Sequence, residues 1–505
     1  MTENKPLTEE LSPEDFRFAS HGASIKDKKP ETKPVGYFRD AWRRFKKNKA
    51  SIVALCIIAF LVLFAIIAPL CSPFTMSFSD PIYRNRIPKN SVLAHIGIAT
   101  GEYSRDLNQR GYEYFEAIGI GAAYDRATDT EDNTQGVGGE YAAIRSISGT
   151  AENNNTTVKL DAYLEIGFRR VSVTQAEYDR IVAYEEETGL TILYPMIDST
   201  KVNSSFITDA DDGNVWFQTD ASGRAVKDAQ GNYQDIYLRD ADGNVRYYQN
   251  RDASGLYVRV LYHNYFIFRN GTEPEFLFGS NSVVQDILVR LASGIQLSLL
   301  LAVGVSVINL LIGAIYGTIE GYYGGRVDLI MERIVDILSG VPFIIVATLF
   351  QLHLANTVGI VPSLLFAFVL TGWIGTSRRV RTQFYRFKGQ EYVLAARTLG
   401  ASDARLMFKH IFPNTLGTII TSSVLVIPSV IFSESMLTYL GIVNLSGSTM
   451  TSIGSMLSDG QAVIASYPHV IFFPALVISL LMISFNLFGN GLRAAFNPSL
   501  RGVDE

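Results

Sequence analysis

The sequence predicts an α-helical integral membrane protein with six transmembrane helices and an α+β domain inserted after the first of them. Three observations point to this fold class: six long apolar segments, clusters of Lys and Arg beside them, and one polar stretch of about 200 residues. A helix needs roughly 20 apolar residues to cross a bilayer, and six such segments in one chain are atypical of a soluble protein. The segments cover residues 50–70, 294–319, 333–355, 359–376, 416–437 and 470–489.

The start of the chain differs sharply from the apolar segments. Residues 1–35 mix Lys, Glu, Pro and Ser, a composition that predicts a disordered cytoplasmic tail. Residues 36–72 follow as a basic, amphipathic lead-in and the first transmembrane helix. Because 49 mostly polar residues precede that helix, we do not expect it to be a cleavable signal peptide.

Basic residues predict the orientation, because Lys and Arg close to transmembrane segments remain in the cytoplasm. Three basic stretches agree: FRDAWRRFKKNKA before the first segment, SRRVRTQFYRFKGQ after the fourth and GLRAAFNPSLRG after the sixth. With six spans, this pattern places both termini in the cytoplasm and residues 73–278 outside the cell. Residues 72–285 carry 30 acidic and 19 basic residues, a net charge of −11 that fits the same orientation.

The insert is expected to fold as an α+β domain. Thr174 and Glu177 form a T-x-x-E capping box ahead of a helix over 175–188, and Gly189 is a stop signal for that helix. A strand, TILYPMI, is predicted next. The many tyrosines of the insert could pack in its core or bind a partner, and packing is the more common role.

Four Asp-rich, Gly-containing turns recur between residues 209 and 260, each followed by β-prone residues. This pattern predicts hairpins, since Asp and Asn accept turn conformations and Gly accepts positive φ. The alternative is a calcium loop on Asp209, Asp211 and Asn214. That alternative is disfavoured because Asp220 occupies the twelfth position, where such a loop carries Glu.

The segment between the fourth and fifth spans contains EYVLAARTLGASDARLMFKHIFPN, residues 391–414, which is too long for a minimal turn. Apolar residues at helical spacing predict a short helix; they are Tyr392, Leu394, Ala395, Ala396 and Leu399. Gly400 ends this helix, and Ser402 or Asp403 caps a second helix that Pro413 is expected to end. The resulting stiff bend could enter a cleft on another protein or lie on lipid headgroups.

Small residues are spaced regularly along the second apolar segment. Gly313, Gly317 and Gly321 stand four residues apart, and hence on one face of a helix. Such stripes allow two helices to approach closely, so we interpret them as packing positions rather than substrate contacts.

A few charges lie within or beside the apolar segments. Glu434 interrupts the fifth segment, and a charge there normally has a partner or a water-lined position. Asp328, Arg333 and Asp336 fall near the inner edge of the third segment, where Arg333 is expected to pair locally. We treat these four residues as possible gate or interface residues, with a purely structural role as the alternative.

Residues 391–414 also resemble the E-A-A-x(3)-G-x(9)-I-x-L-P signature of ABC importer permeases. The corresponding residues here are Glu391, Tyr392 in place of the first Ala, Ala395, Ala396, Gly400, Ile411, Phe412 and Pro413. His410 and Asn414 resemble the fuller form found in the dipeptide and oligopeptide subgroup. Similar stretches cover residues 36–72 and 279–501, whereas GSNSVVQD before the second span lacks the usual arginine, and the insert has no counterpart in compact family members.

The resemblance implies a type I ABC importer permease fold and the C-type subunit of an oligopeptide permease in the bacterial cell membrane. Its permease core would be residues 279–505, with a coupling loop at 377–414 that docks in a groove of an ATP-hydrolysing subunit. The coupling residues implied are Glu391, Tyr392, Ala395, Ala396, Leu399, Gly400, Ala401, His410, Pro413 and Asn414.

The same resemblance implies the partners. They are a second permease subunit that completes a heterodimer, two ATP-binding subunits, an extracellular substrate-binding lipoprotein, a peptide substrate and membrane lipid, but no nucleic acid. No cofactor or metal is expected on this chain, and ATP and Mg would bind the partner subunits.

The chain itself is expected to be non-catalytic. It contains no G-x(4)-G-K-[ST] phosphate-binding motif, and its six histidines form no ligand cluster. Within the family, a dipeptide or nickel importer permease is an open alternative. A membrane sensor with an extracellular ligand-binding domain is a further alternative, although no cytoplasmic stretch is long enough for an output domain.

Overall fold

The computed structural model describes residues 37–150, 155–202, 213–252, 255–447 and 450–496. The predicted N-terminal tail and Arg501 lie outside these residues. The first described elements are the amphipathic helix α1 (Tyr37–Lys47) and the apolar helix α2 (Lys49–Cys71). Asn48 caps α2, because its side chain accepts a hydrogen bond from the backbone N–H of Ser51.

The insert follows α2, and its described residues contain four α-helices and nine strands. The helices are α3 (Ser91–Ala94), α4 (Gln109–Ala122), α5 (Gln175–Thr188) and α6 (Tyr262–Asn270). The strands are β1 (Glu102–Leu107), β2 (Tyr124–Asp125), β3 (Thr130–Glu131), β4 (Ile144–Thr150), β5 (Thr156–Asp161), β6 (Phe168–Thr174), β7 (Leu193–Tyr194), β8 (Tyr248–Asn250) and β9 (Gly255–Leu261). They form antiparallel sheets with the orders β1-β5-β4, β2-β3 and β6-β9-β7, and β8 also pairs with β9. The predicted α+β insert is confirmed.

The remaining helices form the core with α1 and α2. They are α7 (Ile287–Tyr323), α8 (Gly325–Ser339), α9 (Phe343–Val358), α10 (Ile360–Gly372), α11 (Ile374–Phe387), α12 (Glu391–Thr398), α13 (Asp403–Arg405), α14 (Phe412–Val424), α15 (Val426–Tyr439), α16 (Ile453–Val463) and α17 (His469–Phe496). A π-helical turn, Leu406–Ile411, connects α13 to α14. The long helix α7 runs through the core and packs against α2, α11 and α15.

Five described helical stretches are long and apolar enough to cross a membrane: 49–71, 287–323, 360–387, 403–439 and 469–496. The third predicted span, 333–355, is not one straight helix. It is divided between α8 and α9, which meet at a bend of 73°, and the number of spans is six only when this bent pair is taken as one. Pro342 stands at the bend, where its missing N–H and its ring prevent an unbroken helix.

Pro413 also behaves differently from the prediction, because it does not end the helix that begins at Asp403. The helical stretch continues from Asp403 to Tyr439. In the π-helical turn before Pro413, the backbone N–H of Phe412 bonds to the carbonyl oxygen of Met407. This turn interrupts the ordinary i→i−4 pattern just where the proline lacks an N–H, so no α-helical bond is lost there.

The two ends of the insert meet at the end of α2. The Ser72 hydroxyl donates a hydrogen bond of 3.1 Å to the carboxylate of Asp286, which caps the first turn of α7. The backbone N–H of Lys89 bonds to the Phe276 carbonyl oxygen at 2.9 Å, so the outgoing and returning chains run side by side. The insert thus leaves the core and returns to it at nearly the same point.

The Asp-rich turns form a repeated hairpin array over residues 213–247. Three turns share one geometry, in which the Asp carboxylate accepts a bond from the backbone N–H four residues later: Asp220 from Arg224, Asp228 from Asn232 and Asp240 from Asn244, all at 2.8 or 2.9 Å. The glycine in each turn has φ between 82° and 88°, a conformation that glycine adopts at no steric cost. The hairpin interpretation is confirmed for these three turns.

The calcium alternative gains no support from the described residues. Asp209 and Asp211 lie outside them, and the buried amide of Asn214 bonds to Phe168, Tyr114 and Ile166. No group of three or more His, Cys, Asp or Glu among the described residues is placed to hold a metal ion.

The predicted capping box of α5 is only half formed. The Thr174 hydroxyl accepts from the N–H of Glu177 at 3.2 Å, but the Glu177 carboxylate accepts from the Tyr265 hydroxyl of α6 at 3.1 Å. Because α6 packs against α5, the Glu177 carboxylate bonds to Tyr265 and does not complete the capping box. Gly189 ends α5 with φ 74°, as predicted.

Acid is expected to loosen the hairpin array. Hydrogen bonds from Asn232 and Asn244 lower the pKa of Asp228 and Asp240, and the Ser222 hydroxyl lowers the pKa of Asp220. Because folding lowers these pKa values, their contribution to stability is fully present above the unfolded pKa near 4 and is lost as the pH falls through the lower folded pKa values. Hydrogen–deuterium exchange of residues 213–247, corrected for intrinsic rates, should therefore accelerate as the pH falls from about 4 to about 2.

Changing all three residues to Asn provides the control, since Asn forms the same turn without titrating. The triple variant should exchange at a rate independent of pH over this range. If the triple variant showed the same acceleration as the unchanged protein, the three carboxylates would not be its cause.

Candidate functional site

The bend between α12 and α13 has the geometry of a Schellman motif. The N–H of Gly400 bonds to the carbonyl oxygen of Arg397 at 3.0 Å, and the N–H of Ala401 bonds to that of Ala396 at 3.1 Å. Gly400 has φ 81°, in the left-handed region where glycine is favoured. We call residues 391–402 the knob, because this closed turn projects from the helical core as one unit.

The knob is attached to the core by apolar packing. Val393, Leu406 and Ile411 are fully buried in a cluster with Val380 and Phe384 of α11. Burying each such aliphatic side chain contributes about 1.5–3 kcal/mol, enough to hold so short a helix in place. The sequence pattern correctly included Ala396, which is half-buried against the core. It did not include Val393, which is the fully buried residue of the short helix.

Polar contacts connect the knob to two core helices. The Tyr322 hydroxyl, near the end of α7, donates to the Asp403 carboxylate at 2.5 Å, and the Arg397 guanidinium donates to the same hydroxyl at 3.3 Å. On the other side, the Asn414 amide of α14 donates to the Tyr392 hydroxyl at 3.1 Å. The knob is therefore held on both sides.

The other predicted coupling residues differ in exposure. Glu391, Ala395, Leu399, Gly400 and Pro413 are exposed, whereas Ala401 and His410 are half-buried. Leu399, at the tip beside Gly400, is 87% exposed, and Leu394 and Tyr392 are 46% and 40% exposed. These three exposed apolar side chains lie on a turn that is held in place by the hydrogen bonds of Arg397 and Tyr392.

The three glycines of α7 lie where that helix crosses α11. A β-carbon at Gly313 would stand 2.7 Å from Cβ of Thr376, and one at Gly317 would stand 2.9 Å from Cβ of Val380. At Gly321 the distance to Cβ of Phe384 would be 2.6 Å. These separations are too short for side chains, so the glycines allow α7 and α11 to pack backbone against backbone.

The charges of α8 form a network with α11. Arg381 donates to the Asp328 carboxylate at 2.8 Å and lies 3.4 Å from the buried Glu320 of α7. Arg333 pairs within α8 with Asp336 at 3.1 Å, as expected, and Asp336 also pairs with Arg378 of α11 at 3.2 Å. The network connects three helices on the side of the core that carries the knob.

Glu434 lies fully buried in α15. Its carboxylate accepts hydrogen bonds from the Ser298 hydroxyl of α7 at 2.9 Å and from the Ser435 hydroxyl at 3.3 Å. Ser452, at the start of α16, donates to Thr438 at 3.0 Å one turn further along α15. Glu434 thus belongs to a buried polar contact among helices and has no exposed surface.

Comparison with known families gives two matches. The model described as the binding-protein-dependent transport system inner membrane component matches residues 309–502. The model for the N-terminal transmembrane domain of oligopeptide transport permease C matches residues 36–88. Residues 89–308, which contain most of the insert, lie between the two matches.

Individual relatives agree with these models. The oligopeptide transport system permease protein of Bacillus subtilis is 43% identical over 226 residues, which is 44% of this chain and 72% of the relative. The dipeptide transport system permease protein of the same organism is 39% identical over 227 residues, which is 44% of this chain and 69% of the relative. A solved inward-facing methionine ABC transporter aligns with 41% of this chain and 96% of its own, at 15% identity and a TM-score of 0.35.

The identity to the first relative and the share of it that is matched establish the family and confirm the resemblance seen in the sequence. They also confirm the predicted fold class, a multi-pass helical permease of the type I importer class with an inserted domain. The chain belongs to the family of inner-membrane components of binding-protein-dependent transport systems, in its group of oligopeptide and dipeptide permeases.

Proposed function

We propose that this chain is the non-catalytic permease subunit of an ATP-driven importer of oligopeptides, and that its knob docks on an ATP-hydrolysing partner. The observation that carries the proposal is the exposure of Leu399 at the tip of a rigidly held turn. Leu399 stands with the exposed Leu394 and Tyr392 on the knob, and a group of exposed apolar side chains gains stability when a partner covers it.

The assembly would contain further chains. A second permease subunit would complete the pathway, two ATP-binding subunits would hold ATP and Mg, and an extracellular lipoprotein would deliver the substrate. The names of the relatives support a peptide substrate. Because one of them is a dipeptide permease at 39% identity, dipeptides are the second candidate substrate.

The contacts of the knob suggest how movement is transmitted. Closure of an ATP-bound partner would displace the knob, and the Asp403–Tyr322 bond and the buried Val393 would carry that displacement to α7 and α11. Because α7 and α11 pack backbone against backbone at the glycine positions, the two helices would move as one body.

Photo-cross-linking tests the docking. Leu399→Cys, labelled with a benzophenone maleimide in a chain with Cys56 and Cys71 replaced by Ser, should cross-link on illumination to the ATP-binding subunit that copurifies in mild detergent. Exposed Gln230, in the hairpin array of the insert, provides the control position and should give no such product. Absence of any ATP-binding subunit from the purified assembly, or cross-linking at position 230 alone, would refute the docking.

Substrate choice requires a separate measurement. ATP-dependent uptake of a labelled pentapeptide and a labelled dipeptide into reconstituted vesicles should favour the longer peptide. A preference for the dipeptide would favour a dipeptide importer. ATP-dependent uptake of nickel, without uptake of either peptide, would instead favour a nickel importer.

The proposed orientation places the knob in the cytoplasm and the insert outside the cell. Exposed basic residues give trypsin a target on each side: Arg224 and Lys227 in the insert and Arg397 in the knob. Trypsin added to intact cells should cut the insert and leave the knob uncut until the cells are lysed. Cutting in the knob of intact cells, with the insert protected, would reverse the orientation.

A further inference from the structure

An apolar loop projects from the insert at residues 91–98, SVLAHIGI, a range that includes α3. Residues 90–101 contain no Asp, Glu, Lys or Arg, although the insert around them is densely charged. Val92, Ile96 and Ile98 are 74%, 69% and 57% exposed. Single exposed apolar side chains are ordinary, but three within seven residues on a charged domain indicate a contact surface.

The loop is fixed in this exposed arrangement by hydrogen bonds at both ends. The N–H of Asn90 bonds to the carbonyl oxygen of Ala99 at 2.9 Å, which closes the base of the loop. The Glu275 carboxylate accepts from the N–H of Ser91 at 3.0 Å and from its hydroxyl at 3.3 Å. The apolar side chains are therefore held outward by the fold.

The loop begins beside the end of the first membrane helix. Asn90 and Ser91 line a cavity of about 540 Å³ together with Ala68 and Cys71 of α2 and Leu288 of α7. The last turns of α2 carry an apolar surface for lipid, where Ile66, Ile67 and Leu70 are 53%, 49% and 79% exposed. The loop thus starts beside the apolar, exposed end of α2.

We propose that residues 91–98 insert into the boundary between headgroups and acyl chains of the leaflet on the insert side. Uncharged aliphatic side chains enter this boundary by apolar contact, so the partner is the phospholipid surface and no particular headgroup. The lipid surface would then add to the contacts that hold the insert against the core, such as the stacking of Phe278 on Phe473 of α17 with ring centroids 4.3 Å apart.

Spin-label accessibility in the assembled transporter tests the proposal directly. Single cysteines at positions 92, 96 and 98 would be labelled in a chain with Cys56 and Cys71 replaced by Ser, and the complex reconstituted in phosphatidylethanolamine–phosphatidylglycerol vesicles. Ile66→Cys provides the lipid-facing reference and Gln230→Cys the water-facing reference, both at exposed positions. Dissolved oxygen concentrates in lipid, whereas a nickel chelate remains in water, so the ratio of their collision rates reports depth.

We expect the oxygen-to-nickel ratio at positions 92, 96 and 98 to exceed that at position 230 several-fold and to approach that at position 66. A ratio equal to that at position 230 would place the loop in water and overturn the proposal. Low collision rates with both reagents would also overturn it, because the loop would then be covered by protein. The measurement requires neither peptide nor ATP, so its outcome is independent of the proposed transport function.

Discussion

Replacing Leu399 with Asp is expected to abolish peptide-stimulated ATP hydrolysis in the reconstituted complex while leaving membrane insertion unchanged. Leu399 is 87% exposed, so the change removes little packing within this chain. Covering a leucine in a partner contributes about 1.5–3 kcal/mol, and burying an unpaired carboxylate in the same place costs more. Together these effects correspond to a loss of docking affinity of at least about a hundredfold.

Leu399→Met provides the matched control, because it retains an apolar side chain of similar volume at the same tip. The Met variant should hydrolyse ATP at nearly the normal stimulated rate. Both variants should also purify in equal amount and with the same thermal stability in detergent. Normal stimulation in the Asp variant would show that the tip lies outside the contact with the ATP-hydrolysing subunit.

The shape of the tip can be tested at the next residue. Gly400 has φ 81°, which proline cannot adopt because its ring fixes φ near −65°. Gly400→Pro should therefore displace Leu399 and reduce stimulation as strongly as the Asp variant. Gly400→Asn should retain most of the activity, since asparagine tolerates the left-handed conformation.

The second large effect is expected at the crossing of α7 and α11. Gly317→Leu should lower the melting temperature of the purified assembly by several degrees, because its β-carbon alone would stand 3.0 Å from the carbonyl carbon of Ser377. Backbone cannot move aside as a side chain can, and overpacking typically costs 1–3 kcal/mol. Fluorescence-detected size exclusion after heating measures the shift.

Gly304→Leu makes the same substitution on the same helix at a place with free space. The nearest atom that its β-carbon would meet there is a methyl carbon of Leu365 at 3.9 Å, an ordinary contact distance. Because replacing Gly with Leu raises the helix propensity equally in both variants, the difference between their melting temperatures reports the cost of overpacking the crossing of α7 and α11. Equal melting temperatures would show that α7 and α11 separate at little cost.

Local sequence signals predicted much of the fold. Apolar length gave the positions of the membrane helices, and the Asp-x-x-Gly turns gave the hairpin array because each turn is stabilised within five residues. The glycine spacing on α7 predicted a close crossing, although α11 could not be identified as the partner. Contacts formed within one turn or along one helix face are visible in a sequence, whereas the partner across a crossing is not.

Tertiary contacts explain what the sequence did not reveal. Pro413 was expected to stop a helix, but the π-helical turn before it accommodates the proline and the helix continues. Tyr322, the residue that holds the knob to α7, lies 75 positions from Arg397 and 81 from Asp403, and no periodic pattern extends that far. Arg381 was counted as an orientation signal, and only the folded chain shows it between Asp328 and Glu320.

The helical stretch from Asp403 to Tyr439 begins directly after the knob and forms a strut that includes the π-helical turn Leu406–Ile411 and the junction of α14 and α15 at Leu425. Its 37 residues span about 55 Å at 1.5 Å per residue, and the buried Glu434 lies near its far end. On a strut of that length, a pivot of about 5° at one end sweeps the other through roughly 5 Å. Under the proposed docking, a small rotation at the knob end would thus become a much larger displacement of the helix around Glu434.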